Sequence, residues 1–240
     1  MESRFFWPVG WMLLLVIAQG GCAESRPLVE AQAPTESSVE AQIVLVEAGT
    51  IDRIQVKQTP LADPDVAKLA GLAKLRELLI DHRDSRVTAA SLAKLVDLPK
   101  LTHLRIRGTG IDDAALAEIA RIRTLTILNV PRGDFTDQGL SQLAALPNLM
   151  QLRIGSPKVT PTGIKSLAGF PALRRLHLID VPVGDAGLAD LAAIAELQSL
   201  YIDGAQFSDA ALDDFFRRRP NLHVHFDQQH HDRDPNPDPH

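Results

Sequence analysis

The sequence is short of cysteine and of aromatic residues. Its single cysteine, Cys22, excludes a disulfide within the chain. Aromatic residues make up 5% of the 240 residues, whereas hydrophobic residues make up 45%. The core of any folded domain must therefore be built mainly from aliphatic side chains, and its stability must come from packing rather than from cross-links.

The chain also lacks an excess of basic residues and the motifs of common catalytic sites. Its formal net charge is −5, which disfavours a nucleic-acid partner. It contains no Gly-rich phosphate loop, no nucleophile elbow and no metal-ligand motif. These absences predict a protein that is not an enzyme and that needs neither a cofactor nor a metal.

An apolar stretch near the N-terminus, Phe5 to Ala18, is too short for a comfortable membrane span of ~20 residues. It follows Arg4 and precedes small residues, which is typical of an export signal. We assign residues 1–21 to this signal. Residues 22–42 are rich in Glu, Ser, Pro, Gln and Ala, and we interpret them as a flexible linker.

The end of this signal resembles the lipobox of bacterial lipoproteins, in which the cysteine after the cleavage site carries the lipid. Gly20, Gly21 and Cys22 fit that pattern, whereas Gln19 departs from its usual aliphatic residue. The resemblance implies lipidation of Cys22 and a lipid-anchored protein of a bacterial cell envelope, on the outer membrane if the cell has two. The alternatives are an ordinary signal cleaved near Gly20, giving a periplasmic or secreted protein, and an uncleaved anchor.

The remaining chain is a periodic array. The central aliphatic residues of short L-x-x-L-x-L runs recur at intervals of 24 or 26 residues, at Ile54, Leu78, Leu104, Leu128, Leu152, Leu176, Leu200 and Val224. Each run is followed by an aliphatic stripe with helical spacing, such as Leu140, Leu143 and Leu146. Thr136, Thr160 and Ser208 stand where helix N-caps are expected. The array therefore predicts strands alternating with short helices.

This pattern resembles leucine-rich repeats of the classes that carry a helix on the outer face, including the ribonuclease-inhibitor-like class and many bacterial repeat proteins. The resemblance implies an α/β solenoid with a parallel sheet on the concave face and helices on the convex face. We assign residues 43–227 to seven repeats plus a terminal strand, with residues 43–46 as an N-terminal capping strand. The consensus asparagine is missing, so no asparagine ladder is expected. Residues 228–240 are predicted to be disordered.

Alternation along the strands places a group of basic and polar residues on the concave face. Its candidate binding residues are His103, Arg105, Arg107, Asn129, Arg132, Arg153, Arg175 and His177. Asp180 is the nearest acid in this interpretation. Such an arginine patch can bind carboxylates or phosphates, although a solvated strand face with scattered charges is the alternative.

Histidines also cluster near the end of the chain. His223 and His225 share one face of the last strand, but a metal would need further ligands, for which only His230 and His231 are candidates. We therefore predict no metal. A catalytic grouping of Ser199, His223 and Asp227 is equally disfavoured.

The sequence leaves two functional hypotheses. The first is a monomeric binding module, displayed on the envelope, that recognises a protein or an anionic polymer through its concave face. The second is a structural spacer or assembly element that contacts its neighbours through the convex helices. Neither hypothesis identifies the partner.

Overall fold

A computed structural model describes residues 38–108 and 110–230, with only the backbone described for His230. Every described element belongs to a single compact unit. Among the described residues, no helix is both long enough and apolar enough to cross a bilayer. The predicted signal and Cys22 lie outside the described residues.

Eight parallel strands form the sheet, in the order in which they occur along the chain. They are β1 (Arg53–Val56), β2 (Glu77–Ile80), β3 (His103–Ile106), β4 (Ile127–Val130), β5 (Gln151–Ile154), β6 (Arg175–Ile179), β7 (Ser199–Asp203) and β8 (His223–Phe226). The aliphatic series from Ile54 to Val224 is aligned across all seven junctions, which is the register that the repeat spacing predicted. The α/β leucine-rich-repeat solenoid is therefore confirmed.

A short helix follows each strand from β1 to β7. These helices are α2 (Asp63–Ala67), α3 (Ala89–Leu92), α4 (Asp113–Ile119), α5 (Asp137–Gln142), α6 (Pro161–Ser166), α7 (Gly184–Ala192) and α8 (Asp209–Arg218). Three of them continue into single 3₁₀ turns at Ala93–Leu95, Leu143–Ala145 and Leu167–Gly169. The expected caps are confirmed, because Thr136, Thr160 and Ser208 accept bonds from backbone N–H groups of the first helical turn.

The core lies between the sheet and the helices and is almost entirely aliphatic. The repeat-spaced leucines and isoleucines of both layers are buried, including Leu104, Leu128, Leu152, Leu140 and Leu188. Every repeat contributes a small part of one continuous core, so each repeat depends on its neighbours for burial, as is usual in solenoids.

A ladder of aspartates, which the sequence analysis did not anticipate, connects successive helices. Each of these aspartates is near the start of a helix and accepts bonds from the backbone N and the hydroxyl of a cap residue in the next repeat. The pairs are Asp63–Thr88, Asp113–Thr136, Asp137–Thr160 and Asp185–Ser208. Each of these four pairs is one rung of the ladder. The rungs connect successive repeats as an asparagine ladder would, but with aspartate in place of asparagine.

The two ends of the solenoid differ from the sequence prediction. The expected capping strand at 43–46 is wrong, because this segment lies within helix α1 (Val39–Ala48). The first four residues of α1 also fall inside the expected linker, and the side chain of Gln42 bonds to both the N and O atoms of Gln55 in β1. Helix α1 thus supplies hydrogen-bond partners to the backbone of Gln55 at the edge of the sheet, where a further strand could otherwise pair.

At the other end, the chain turns back as β9 (Gln229–His230), which pairs antiparallel with β8. The expectation of disorder from residue 228 is therefore wrong for residues 228–230. Residues 231–240 of that expected tail lie outside the described residues.

Candidate functional site

The concave face is lined by side chains that alternate with the core residues along each strand. The middle position of successive strands holds Arg105, Asn129, Arg153, His177, Tyr201 and His225, as the aligned register shows. Neighbouring strands in a sheet lie ~4.8 Å apart, so these residues form one continuous row.

In the first part of this surface, two arginines share one carboxylate of the chain. Asp81 Oδ2 lies 2.7 Å from Arg105 Nη2, and Asp81 Oδ1 lies 3.6 Å from Arg107 Nε. Asp81 also accepts a bond from Gln55 Nε2 at 2.8 Å. The expectation that Asp180 is the nearest acid is therefore wrong for Arg105 and Arg107. Both guanidinium groups are held by this one carboxylate, which offsets one of their two charges, so they are weaker candidates for capturing an external anion.

Burial and hydrogen bonding oppose each other at Asp81. Burial alone would raise the pKa of this carboxyl group, but bonds from Gln55 and Arg105, with the charges of Arg105 and Arg107, lower it below its usual value. The side chain is only 11% exposed. Asp81 therefore carries a charge in the folded protein and fixes the two arginines beside it.

Arg153 is in a different position, because no ion-pair or hydrogen-bond partner contacts its guanidinium group among the described residues. Its Nε is buried without a partner, and so is the Oδ1 of the adjacent Asn129. Burial lowers the pKa of Arg153, and the charges of Arg107 and Arg105 lower it further against the influence of Asp203. A buried polar group without a partner costs about 1–3 kcal/mol, so a ligand that supplies an acceptor there stabilises the site.

Arg175 lies diagonally beside Arg153, one strand and two residues away. Its register partners are Gln151 and Ser199, neither of which is charged, and the residue is exposed. No acid among the described residues forms an ion pair with it. Arg153, Arg175 and Arg132 are therefore the arginines of the predicted patch that form no ion pair among the described residues, and the first two lie side by side.

A row of aromatic rings continues from these arginines across β6, β7 and β8. The rings of Tyr201 and His225 are stacked with centroids 4.5 Å apart, and His177 lies 5.4 Å from Tyr201 on a neighbouring strand. Nε2 of His225 is 2.8 Å from Nε2 of His223. Because Tyr201 has a ring neighbour on each adjacent strand, the row leaves little free aromatic face for a ligand to stack on.

His177 is held by an acid at the end of β7. Its Nε2 lies 2.8 Å from Asp203 Oδ2. Burial lowers the pKa of His177; the bond and the charge of Asp203 raise it, and the charge of Arg153 lowers it, with a net shift below the ordinary value. His177 is therefore neutral near pH 7 and adds no positive charge to the surface.

Two hollows open on the concave side and share Arg153. The larger, of about 630 Å³, is lined by Asn129, Gln151, Leu152, Arg153, Arg175, Leu176, His177, Ser199, Tyr201, His225 and Gln228. We call it the C-terminal groove. The smaller, of about 470 Å³, is lined by Asp81, Arg83, Arg107, Pro131, Arg132, Arg153, Ile179 and Asp180.

The predicted site residues are thus divided between these hollows. Asn129, Arg153, Arg175 and His177 meet in the C-terminal groove, and Arg107 and Arg132 lie in the smaller hollow. His103 lines neither; its Nδ1 is 4.0 Å from Glu77 Oε2, and burial is the main cause of its lowered pKa. Within residues 38–108 and 110–230, no three groups are arranged to hold a metal ion.

The groove also contains Tyr201, His225, Gln151 and Gln228, which are not among the site residues predicted from the sequence. Tyr201 and His225 were recoverable, because they occupy the same repeat position as Arg105, Arg153 and His177. Gln228 was not, since it follows the last repeat and enters the groove only through the turn that leads to β9.

Comparisons with known proteins agree with this architecture. Residues 97–120 match the family described as Leucine Rich repeat. No curated protein matches the chain. Among solved structures, the chain is similar to an internalin (InlF) from Listeria monocytogenes, with a TM-score of 0.56 and 20% sequence identity over 77% of this chain. The match covers 49% of the internalin chain, so this protein spans about half of that chain's length. At this identity the likeness concerns the fold.

Proposed function

We propose that this protein is a non-enzymatic binding module that recognises a protein partner through the C-terminal groove of its concave face. The observation that carries the proposal is that Arg153 and Arg175, which form no ion pair among the described residues, lie together in this groove beside a polar aromatic row. The other concave arginines with partners, Arg105 and Arg107, are bound to Asp81. A regular solenoid favours such a role, because its repeats provide a broad and rigid surface for a macromolecule.

The size of the groove also supports a macromolecular partner. It is lined by residues from β4 to β8, which corresponds to ~19 Å across the sheet at the usual strand spacing. This length suits an extended segment of a partner better than a small metabolite, which binds in more enclosed cavities.

Charge reversal tests the proposal. The full chain is immobilised beside a variant with Arg153→Glu and Arg175→Glu, and beside a matched control with Arg121→Glu and Arg123→Glu. The control arginines lie at the end of α4, outside the concave face. Binding partners are captured from a solubilised extract of the source cells. We expect one partner to bind the unmodified chain and the control but not the concave variant.

A partner lost only from the control variant would favour the structural hypothesis, in which the convex helices make the contacts. A partner that both variants retain would exclude the groove as its binding site. Binding through the groove should also weaken with rising salt concentration, since the arginines are at least partly exposed to solvent.

We further propose that the protein is exported to a bacterial cell envelope and anchored there by lipid on Cys22. This proposal rests on the signal-like sequence 1–21 and on the small residues before Cys22. Mass spectrometry of the N-terminal peptide of the natural protein tests it. An acylated peptide that begins at Cys22 is expected, and an unacylated peptide that begins elsewhere would refute lipidation. A Cys22→Ser variant, recovered from the soluble fraction, serves as the comparison.

A further inference from the structure

The chemistry of the C-terminal groove restricts what it can recognise. Within the part of the chain that the structure describes, Arg153 Nε is a donor without an acceptor, and Asn129 Oδ1 on the adjacent strand is an acceptor without a donor. A complementary ligand must therefore present both an anionic acceptor and a donor. A peptide with acidic side chains meets both requirements, since its carboxylates accept and its backbone N–H groups donate.

The aromatic row disfavours a saccharide. Sugar rings commonly bind by laying an apolar face on an open aromatic ring. The rings of Tyr201 and His225 are parallel within 16° and only 4.5 Å apart, and His177 flanks Tyr201 on its other neighbouring strand. The row therefore offers mainly ring edges and polar atoms, which suit hydrogen bonding to a peptide.

The positions of Arg153 and Arg175 specify the spacing between the two acidic groups of a ligand that contacts both. One strand and two residues separate Arg175 from Arg153, which corresponds to roughly 8 Å between their Cα atoms at ordinary sheet dimensions. In an extended peptide, residues two apart lie on the same face and are separated by roughly 7 Å. Two acidic residues with one residue between them can thus contact both guanidinium groups, each through charge-assisted bonds.

We infer that the C-terminal groove binds an extended acidic segment of a partner protein, with carboxylates at alternate positions held by Arg153 and Arg175. The inference rests on the proposed function and adds the chemical class of the partner. Asn129 accepts a backbone N–H of the segment in this arrangement. The site thus lies in the half of the concave face toward the C-terminus, and not at the Arg105–Arg107 pair.

Tyr201 provides a direct measurement, because it is the only tyrosine in the chain and it lines the groove. The two tryptophans, Trp7 and Trp11, lie far from it in sequence. In the full chain with Trp7→Phe and Trp11→Phe, tyrosine emission therefore reports on the groove. Calorimetry on the chain without these substitutions checks the affinities.

The probe is an acetylated and amidated peptide of alternating glycine and glutamate with three glutamates, and its glutamine counterpart is the control peptide. Trigalacturonate, an acidic saccharide with the same number of carboxylates, tests the competing ligand class. We expect the glutamate peptide to bind at least tenfold more tightly than either comparison ligand. Equal binding of the glutamine peptide, or tighter binding of the saccharide, would overturn the inference.

Three single substitutions locate the site. Arg153→Gln and Arg175→Gln should each weaken the affinity for the glutamate peptide about tenfold, whereas Arg123→Gln should leave that affinity unchanged. Arg153 has no bonded partner among residues 38–108 and 110–230, so its substitution should not lower the melting temperature. Weakening by Arg123→Gln as much as by Arg153→Gln would refute a specific site.

The acids of segment 231–240 provide a further control. A variant with Asp232, Asp234 and Asp238 changed to Asn should bind the probe as the parent does. A tenfold gain in affinity would overturn the assignment to a partner, because this chain's own acids would then be occupying the groove.

The outcome separates this inference from the proposed function. If binding of the captured partner requires Arg153 and Arg175 but the glutamate peptide does not bind, the assignment of the ligand to an acidic segment is wrong and the proposed function stands. If the peptide binds in the groove but the partner ignores both arginines, the proposed function fails instead.

Discussion

The carboxylate of Asp137 accepts two bonds from Thr160 in the following repeat, one from the backbone N at 2.7 Å and one from Oγ1 at 2.5 Å. Thr160 at the same time caps helix α6 through Oγ1. One side chain therefore connects the start of one helix to the cap of the next, so local helix capping is coupled to the stacking of repeats.

This rung predicts a measurable coupling energy. Asp137→Ala should lower the free energy of unfolding by about 1–2 kcal/mol, because two hydrogen bonds are lost. Thr160→Val should also destabilise the protein, since it removes the hydroxyl bond to Asp137 and the cap on Thr162 N, although the backbone N–H bond survives. A double-mutant cycle measured by urea denaturation should give a coupling of about 1 kcal/mol. Additive effects of the two substitutions would show that the bond between the Thr160 hydroxyl and Asp137 contributes nothing to stability.

The same rung requires glycine at position 163, two residues after Pro161, which occupies the aspartate position of its own repeat. A Cβ at Gly163 would collide with Asp137 Oδ1, which its two bonds to Thr160 hold in place. We expect Gly163→Ala to destabilise the protein by about 1–3 kcal/mol in thermal denaturation. Gly169→Ala is the matched comparison, because a Cβ there meets no atom within 4 Å. Equal effects of the two substitutions would contradict this explanation.

Arg219 should be the most important member of the basic run at residues 217–219. Its guanidinium group donates to the carbonyl oxygens of Ile194 and Leu197, and it also contacts those of Ala192 and Ala195 at the end of α7. Arg219→Ala should cost about 2–3 kcal/mol in urea unfolding, because several carbonyls lose a charged donor. Arg217→Ala removes the same charge from a side chain that is 73% exposed, and it should change stability little.

The lowered pKa of Asp81 predicts that the free energy of unfolding decreases at low pH. An unperturbed aspartate titrates near 3.8, and the pKa of Asp81 is lower in the folded state. Its stabilising contribution is therefore complete above pH 3.8 and is lost as the pH falls through the lower folded value. Stability measured against pH should decrease less in this range for Asp81→Asn than for the parent. Asp97→Asn, which changes a carboxyl group on an exposed turn residue, serves as the comparison variant.

His177 should titrate below its ordinary pKa of 6.5, since burial outweighs the bond to Asp203. A lowered folded value means that stability decreases as the pH falls from 6.5 through that value. Asp203→Asn should lower the pKa of His177 further, because the carboxylate raises it. Nuclear magnetic resonance titration of the ring protons measures both values, and a rise in the variant would contradict the geometry described here.

The repeat period predicts the sheet. Much of the aspartate ladder could also have been predicted, from the residues at the aspartate position of one repeat and the cap position of the next. Where Ala89 or Pro161 stands at the aspartate position, the cap position of the next repeat holds Asp112 or Gly184 instead of Ser or Thr. Acceptor and donor therefore change together along the chain. Comparison of the repeats reveals this pairing, which the search for a consensus asparagine overlooked.

The ends and the charge pairing could not be predicted in this way. Residues 43–46 are β-branched or aliphatic and favour a strand locally, yet they continue a helix whose Gln42 satisfies the backbone of Gln55. Periodicity places Arg105 and Arg153 in equivalent positions, but only the folded geometry brings Asp81 to one and not to the other. The repeat position that holds Asp81 beside Arg105 holds Pro131 beside Arg153, and repeat spacing does not encode which residue stands at such a position.

Helix α1 has a consequence for how these molecules behave at high local density. The exposed edge of a parallel sheet is a template for adding strands from another molecule, which leads to aggregation. Because Gln42 occupies the N and O atoms of Gln55, that edge of β1 is a poor template. At the opposite edge, β9 is only two residues long and leaves little backbone for pairing. Copies crowded together on one surface would therefore resist strand-to-strand polymerisation while their concave faces remain accessible.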